Sequence, residues 1–292
     1  CGHYYAPYMD CIKRQSNKII ATLFGSDFYR SSETERKIQK KIFETAKIIT
    51  IGPNMSDDFL AVFPEFANKI KFSHFGSARL DIISELYNET NKQIFRDKYK
   101  IKKDKIVITV GYSANPLQQH FMFLDVLGKL PKEIKQKLFL LLPMTYANKK
   151  DYSEKLLAKL QDLKIEFIAF QNPNNEKKYW LTDKEIAEIR IISDITVNTQ
   201  TTDALSSSIK EAFATGNILL VGDWLPYEIY EKMNLFFVKS SENKLLENFT
   251  FILNNYNEFK QKCVGNIEPI LNFATWKAVM PYFIENYKQI NE

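Results

Sequence analysis

Two carboxylates and three hydroxyls lie close together in the segment between residues 201 and 224. Asp203 and Glu211 are eight positions apart, and Ser206, Ser207 and Ser208 lie between them. The pattern places Ser206 at the start of a helix that runs to about residue 215 and stops at a glycine. The first turn of a helix carries free backbone N–H groups and the positive end of its dipole. The segment therefore predicts a diphosphate site, to which the serine hydroxyls add donors.

The two acids have more than one interpretation. Glu211, about one turn into the helix, could accept hydrogen bonds from two vicinal hydroxyls, as a ribose offers. Asp203, just before the helix, would then lie on the far side of the phosphates, beside a donor sugar. The same spacing also fits Ser206 as an ordinary N-cap and Glu211 as a solvated helix residue. Spacing alone leaves both interpretations open.

The elements that would position these residues alternate regularly from residue 105 onward. Apolar strands are predicted at 105–111, 137–143, 165–170, 194–199, 217–222 and 234–239, and amphipathic helices at 117–130, 151–163 and 182–193. Such alternation predicts βαβ units and a parallel sheet covered on both faces, which is a doubly wound α/β domain. Ligands of such sheets bind beyond the carboxyl ends of the strands.

The first hundred residues predict a second, smaller α/β unit. Strands are expected within 17–27, 47–53 and 69–76, and helices over 34–46 and 81–101. We expect a partial N-terminal Rossmann-like domain over 1–98, a second Rossmann-like domain over 99–271, and a C-terminal helix over 272–292 that crosses back to the first. Three strands make a thin core, and the chain opens on Cys1. We therefore expect the first domain to be truncated at its N-terminus.

Composition narrows the function classes. Of the 292 residues, 45% are hydrophobic and 26% charged, and the net charge is +5. The basic residues are scattered without interleaved aromatics, which disfavours nucleic-acid binding. Three cysteines without a C-x-x-C pair predict reduced thiols in a cytoplasmic protein. We expect no transmembrane helix and no metal site, and the basic helix within 35–49 fits either a solvated face or a peripheral contact with anionic lipid.

The stretch 193–222, SDITVNTQTTDALSSSIKEAFATGNILLVG, resembles the family-4 type of glycosyltransferases with the GT-B fold. Glu211 and the alanines and glycine that follow it match the family pattern E-x-x-x-x-x-x-x-E-A-x-A-x-G. Asp203 stands where the family has its first glutamate. The resemblance implies two Rossmann-like domains. It also implies that Asp203 faces the donor sugar and that Glu211 binds the nucleotide ribose.

The resemblance extends along most of the chain and points to bacterial transferases of surface polysaccharides. It is carried further by the segments 19–30, 69–77, 106–120, 140–148, 222–233 and 272–290. One departure concerns the loop after the first strand of the second domain, where many family members place an Arg and a Lys. The available groups of this phosphate loop are here Gly111, Ser113, Asn115 and His120.

Three further residues are candidates for the site. Asp27 follows the strand within 17–27 and would orient the acceptor hydroxyl or the transferred sugar, or else close an Asx-turn on its own backbone. Phe170 and Gln171 end a predicted strand where this fold usually holds the nucleotide base, or else belong to the core and a loop.

The sequence thus predicts a hexosyltransferase that uses a nucleotide-diphosphate sugar as donor and a glycan or lipid-linked acceptor. The resemblance implies a retaining reaction without metal or cofactor, in the cytoplasm or at the inner face of the plasma membrane. Two alternatives remain open. A nucleotide-sugar 2-epimerase shares the architecture, and so does a non-catalytic nucleotide-sugar-binding relative.

Overall fold

The structure, a computed structural model, describes residues 19–29, 31–52, 55–72, 75–144, 150–171, 181–203 and 205–291. The chain divides into two compact units. The first takes in the described residues up to Gly76 and those from Ala274 onward, and the second runs from Ser77 to Phe273. The C-terminal segment therefore belongs with the first unit.

The first unit is a small parallel sheet with helices around it. Its strands are β1 (Ile20–Thr22), β2 (Ile48–Ile51) and β3 (Ile70–Phe72), in the order β1-β2-β3. Its helices are α1 (Ser26–Tyr29), α2 (Glu33–Thr45), α3 (Ser56–Val62) and α15 (Trp276–Asn291). Helix α2 begins at Glu33 because Ser32 and Glu35 form a reciprocal capping box. Buried phenylalanines fill the core, among them Phe28, Phe43, Phe59, Phe63 and Phe66.

The second unit is built on a six-stranded parallel sheet in the order β6-β5-β4-β7-β8-β9. The strands are β4 (Ile106–Val110), β5 (Leu138–Pro143), β6 (Glu166–Phe170), β7 (Ile195–Asn198), β8 (Ile218–Gly222) and β9 (Val238–Ser240). The order reverses between β4 and β7, which makes this point the place where a ligand is expected. The doubly wound α/β fold is thereby confirmed.

Helices cover both faces of this sheet. They are α4 (Ala78–Leu86), α5 (Glu89–Lys98), α6 (His120–Gly128), α7 (Lys132–Lys135), α8 (Lys150–Asp162), α9 (Asp183–Ile192), α10 (Ser207–Ala214), α11 (Glu228–Lys232), α12 (Leu245–Asn254), α13 (Tyr256–Val264) and α14 (Ile267–Ala274). The last strand starts four residues later than predicted. Asn234 adopts a left-handed φ of 55° and Leu235 N–H donates to the Tyr230 carbonyl, so this segment closes α11 instead.

The domain boundary expected at residue 98 is also wrong, because the chain divides after Gly76. Helices α4 and α5 pack on α9 within the second unit. The fully buried carboxylate of Asp194 fixes α5 there. It accepts hydrogen bonds from Lys92 Nζ at 2.9 Å, from Arg96 Nη2 at 2.5 Å and from the Val107 N–H at 2.9 Å.

None of the helices in the described ranges combines the length and the apolar composition needed to cross a membrane.

Candidate functional site

The start of α10 carries the serine cluster. Leu205 adopts a left-handed φ of 57°, and Ser206 caps the helix in extended conformation. The Ser206 hydroxyl donates to Asp203 Oδ2 at 3.0 Å and lies 2.9 Å from the Ser208 hydroxyl. Ser207 is exposed, Ser206 half-buried and Ser208 buried. The three hydroxyls therefore lie at the first turn of α10, whose N–H groups have no acceptor within the helix.

The serines form one side of a cavity of about 310 Å³ in the second unit. Its polar lining residues are Arg79, Tyr112, Arg190, Ser206, Ser207 and Ser208, and its apolar lining residues are Pro143, Leu181, Ile186 and Ile189. Tyr112 follows β4 and Pro143 ends β5, so the cavity opens at the carboxyl edge of the sheet. Its size and its mixture of polar and apolar lining residues suit a small ligand.

Two arginines give the cavity its positive charge. Arg79 lies in the first turn of α4 and is one-third exposed, and Arg190 lies near the end of α9 with its side chain 2% exposed. Glu211 joins them, because Oε1 accepts from Arg79 Nη1 and Oε2 from Arg190 Nε, each at 3.2 Å. Arg79 Nε also donates to Asp183 Oδ1 at 2.7 Å. Burial alone would lower the pKa of Arg79, but the two carboxylates outweigh it and raise the pKa.

Glu211 is not presented to the cavity as the sequence predicts. Its side chain is fully buried, and both carboxylate oxygens accept hydrogen bonds from the arginines. A ribose hydroxyl could reach these oxygens only by displacing Arg79 or Arg190. The ribose-binding role of Glu211 therefore stays a prediction, and the geometry does not favour it.

Asp203 acts as a cap for α10 and as one end of a buried network. Its carboxylate accepts from the Ser206 N–H at 3.2 Å and from the Tyr227 hydroxyl at 2.5 Å. Tyr227 is itself fully buried and accepts from Asn198 Nδ2 at 2.8 Å. These bonds fix Asp203 at the end of β7 and hold the start of α10. A contact of Asp203 with a donor sugar remains a prediction.

The loop after β4 turns its polar groups toward its own backbone. Gly111 has a φ of +64°, a conformation that favours glycine. Ser113 is buried and its hydroxyl accepts from the Asn115 N–H at 3.4 Å, while Asn115 Oδ1 accepts from the Leu117 N–H at 3.0 Å. Asn115 thus caps the short helical turn that starts at Pro116. Among the described contacts, Ser113 and Asn115 support the loop and do not reach the cavity.

His120 is not placed to bind a phosphate. The ring is fully buried at the start of α6, and Nδ1 pairs with the Tyr152 hydroxyl at 2.9 Å. Burial lowers the pKa of His120 to about 4, so the imidazole is neutral at pH 7. Its Nε2 atom packs against the Gly111 backbone, where an added Cβ would lie 2.7 Å away. The predicted phosphate contact is wrong for this arrangement, because a neutral ring beneath the loop is neither charged nor accessible.

Phe170 and Gln171 end β6 as predicted, and both are half-buried. The Phe170 ring stacks edge-on against Tyr99 at 5.8 Å, and the Gln171 N–H donates to the Ala169 carbonyl at 3.1 Å. Residues 172–180, which follow, lie outside the described residues. A role of Phe170 and Gln171 toward a nucleotide base stays a prediction.

Asp27 is a buried turn residue of the first unit. Oδ1 accepts from the Phe24 N–H at 2.9 Å, and Gln39 Nε2 donates to the Asp27 carbonyl at 2.6 Å. Its side chain is 4% exposed, and burial raises the pKa of the carboxyl. The bond from Phe24 reaches three residues back, so it is not an Asx-turn, in which the side chain accepts from a later N–H, but it does engage the carboxylate with the local backbone. An acceptor-orienting role stays a prediction.

Several lining residues of the cavity were not predicted from the sequence. They are Arg79, Arg190, Tyr112 and the apolar residues Pro143, Leu181, Ile186 and Ile189. Arg190 had a local signal. It lies in the run from Ala187 to Ile192, every residue of which is buried. A charged residue in such a run needs a buried partner, which Glu211 provides. Arg79 gave no comparable signal, because its neighbours in sequence are ordinary for a helix start.

Within the described ranges, no three His, Cys, Asp or Glu side chains come together as a metal site would require.

No family model matches the chain, and no curated protein matches it in sequence. Solved structures do match in fold. Anabaena HepE in complex with UDP-glucose aligns at 12% identity and a TM-score of 0.69, covering 92% of this chain and 72% of that chain. A glycosyltransferase from Rickettsia africae aligns at 14% identity and a TM-score of 0.72, and the alignment covers 94% of this chain and 70% of that chain. WaaG, a glycosyltransferase involved in lipopolysaccharide biosynthesis, aligns at 15% identity and a TM-score of 0.62, and the alignment covers 82% of this chain and 64% of that chain. These neighbours are GT-B glycosyltransferases, and the chain has the GT-B-like α/β fold.

Proposed function

We propose that the chain transfers a sugar from a nucleotide-diphosphate sugar to a glycan or lipid-linked acceptor. The observation that carries the proposal is the cavity at the carboxyl edge of the six-stranded sheet. It is lined by serine hydroxyls at the first turn of α10, by two arginines and by apolar side chains. A nucleotide diphosphate needs both kinds of group, with donors and cations for the phosphates and an apolar surface for the base.

In this proposal the diphosphate lies at the start of α10. The N–H groups of the first turn and the Ser207 hydroxyl donate to the phosphate oxygens, while the Ser206 hydroxyl keeps its bond to Asp203 and lies against the Ser208 hydroxyl. The base lies against Pro143 and the α9 side chains, where apolar surface is available. HepE, whose fold is similar, has been crystallised with UDP-glucose and with UDP, which supports the same ligand class here.

The reaction we propose is retaining, and it needs neither a metal nor a cofactor. The bond between the anomeric carbon and the phosphate oxygen breaks, and the acceptor oxygen bonds to that carbon on the same face. The acceptor proton passes to the departing phosphate. Negative charge on the leaving diphosphate grows in the transition state, so oriented donors at α10 stabilise it more than they stabilise the bound donor.

The proposed acceptor and location are supported by the resemblance and by the similar fold of WaaG, which is involved in lipopolysaccharide biosynthesis. We place the reaction in bacterial surface polysaccharide synthesis, on the cytoplasmic side of the membrane. Helix α2 buries Ile42 and Phe43 and turns several lysines outward. Those lysines fit a solvated face or a peripheral contact with anionic lipid.

Calorimetry with UDP, GDP and dTDP tests the binding step directly. We expect at least one of the three to bind, and we expect Ser207→Ala to weaken that binding by about threefold to tenfold. Ser84→Ala, which changes an exposed serine of α4, is the matched control and should bind as the unchanged chain does. Binding of none of the three nucleotides would contradict the proposal.

Turnover is tested with the matching nucleotide sugars. NMR of the anomeric proton distinguishes retention from inversion, and chelation by EDTA tests independence from metal. We expect donor loss with retention, at a rate that EDTA leaves unchanged. Inversion would refute the retaining mechanism, and loss of activity in EDTA would refute independence from metal. Neither result would contradict the proposed donor class.

One observation favours a second candidate, a non-catalytic nucleotide-sugar-binding protein. Asp203 is engaged by Ser206 and Tyr227, and Glu211 by two arginines, so both acids of the predicted motif already have partners. Nucleotide binding without loss of any donor sugar, over long incubation and with a panel of acceptors, would favour this candidate over transfer.

A further inference from the structure

The strongest unexplained feature of the cavity is Arg190. The side chain is 2% exposed and lines the cavity, and its Nη1 atom has no hydrogen-bond partner within the described part of the chain. A buried guanidinium N–H without an acceptor is costly unless something supplies one. The ligand that would satisfy it carries oxygen acceptors and negative charge.

Glu211 holds Arg190 and Arg79 in one orientation. Each carboxylate oxygen accepts from one arginine at 3.2 Å, and the carboxylate is fully buried behind them. A carboxylate in this position cannot itself face a ligand. Its physical effect is to fix two long, otherwise flexible side chains against the cavity wall, which lowers the entropy lost when they bind an anion.

The charges nearby leave this group net positive toward the cavity. Two guanidinium groups face one buried carboxylate, Glu211. Of the other acids, Asp183 is bonded to Arg79 but its side chain is 51% exposed, so solvent screens much of its charge, and Asp203 is bonded to Ser206 and Tyr227. The positive end of the α10 dipole lies on the same cavity through Ser206, Ser207 and Ser208.

We propose that Arg79 and Arg190 bind the diphosphate of the ligand, and that Glu211 is a positioning residue that aims them. Arg190 presents its unpartnered N–H to a phosphate oxygen, and Arg79 does so from the rim of the cavity. The ribose then makes no contact with Glu211. This inference rests on the proposed function, since it assigns the residues that recognise its donor.

The test compares five ligands on matched variants by calorimetry. The ligands are inorganic pyrophosphate, UDP, GDP and the 2′,3′-dideoxy forms of the two nucleotides. Arg190→Gln should weaken binding of pyrophosphate and of the nucleotides by about tenfold or more, since hydrogen bonds to charged groups are lost. Arg79→Gln, at a partly exposed position, should act in the same direction and is the safer variant for folding. Lys184→Gln removes an exposed charge from α9, the helix that carries Arg190, and should leave all affinities unchanged.

Glu211→Gln separates positioning from ribose binding. If Glu211 positions the arginines, this variant weakens the binding of the ribose and the dideoxy nucleotides by the same factor. It weakens the binding of pyrophosphate as well. If Glu211 binds the ribose, the unchanged chain prefers the ribose form, and Glu211→Gln removes that preference without affecting pyrophosphate.

Different results contradict the inference and the proposed function. Unchanged nucleotide affinity in folded Arg79→Gln and Arg190→Gln chains would overturn the inference and leave nucleotide binding intact. A ribose preference that depends on Glu211 would overturn its positioning role. Failure of the unchanged chain to bind any of UDP, GDP and dTDP would overturn both the inference and the proposed function.

Discussion

The buried imidazole of His120 makes the stability of the fold depend on pH. Burial lowers its pKa in the folded chain from 6.5 to about 4, while Nδ1 stays paired with Tyr152. In the unfolded chain the same group takes up a proton near pH 6.5. Between these two values the unfolded state binds more protons, so the free energy of unfolding falls as the pH falls. The contribution is fully present above about pH 6.5 and is lost as the pH passes through the folded value.

The size of the effect follows from the two pKa values. A difference between 6.5 and about 4 corresponds to about 3 kcal/mol, of which about 2.5 kcal/mol is lost by pH 4.5. The perturbation is His120→Asn, because an asparagine amide can stand near the Nδ1 position and does not titrate. We therefore expect the unchanged chain to lose about 2.5 kcal/mol relative to this variant between pH 7.5 and 4.5.

Urea unfolding of both chains across this pH range measures the difference, and carboxylate titrations common to both chains cancel. NMR supplies the direct measurement. The chain has three histidines, and one ring signal should stay unprotonated down to about pH 4 and be missing from the variant. Titration of all three rings near pH 6.5, or a constant difference between the chains from pH 7.5 to 4.5, would refute the buried, neutral imidazole.

Two further changes test other parts of the second unit by urea unfolding. Gly111→Ala should destabilise the fold by at least about 1–2 kcal/mol, because φ is +64° and the new Cβ would meet a buried imidazole nitrogen at 2.7 Å. Gly128→Ala, whose Cβ finds ordinary space, is its control and should be close to neutral. Asp194→Asn should cost about 3–5 kcal/mol, since it leaves Lys92 and Arg96 without their buried carboxylate. A loss below 1 kcal/mol would mean that the pairs are not held in solution as described.

Local patterns were enough to predict most of the second unit. Strands β5 and β8 are buried on both faces, so they read as continuous apolar runs. Thr182 and Glu185 form a reciprocal capping box that fixes the start of α9. The boundary after Gly76 could not be predicted in this way. It depends on the ion pair between Asp194 and Lys92, which lies 102 positions earlier, and no local sequence pattern predicts such a pair.

The residues of the candidate site also differ in whether the local sequence could predict them. The serines were predictable because a helix start is a local event, and α10 begins at Ser207. The arginines were not, because Arg79 and Arg190 reach Glu211 only after α4, α9 and α10 pack together. His120 was misjudged for the same reason, since its burial depends on Tyr152 in another helix.

The described residues that line the cavity all belong to the second unit, from Arg79 to Ser208. Nucleotide recognition, as we propose it, therefore needs no side chain of the first unit. Asp27, which belongs to the first unit, is held by its own turn and by Gln39. We predict that Asp27→Asn leaves nucleotide affinity unchanged and slows the proposed transfer, because its carboxylate belongs to the first unit and does not line the cavity. A nucleotide affinity that followed substitutions at Asp27 would mean that binding is shared between the units.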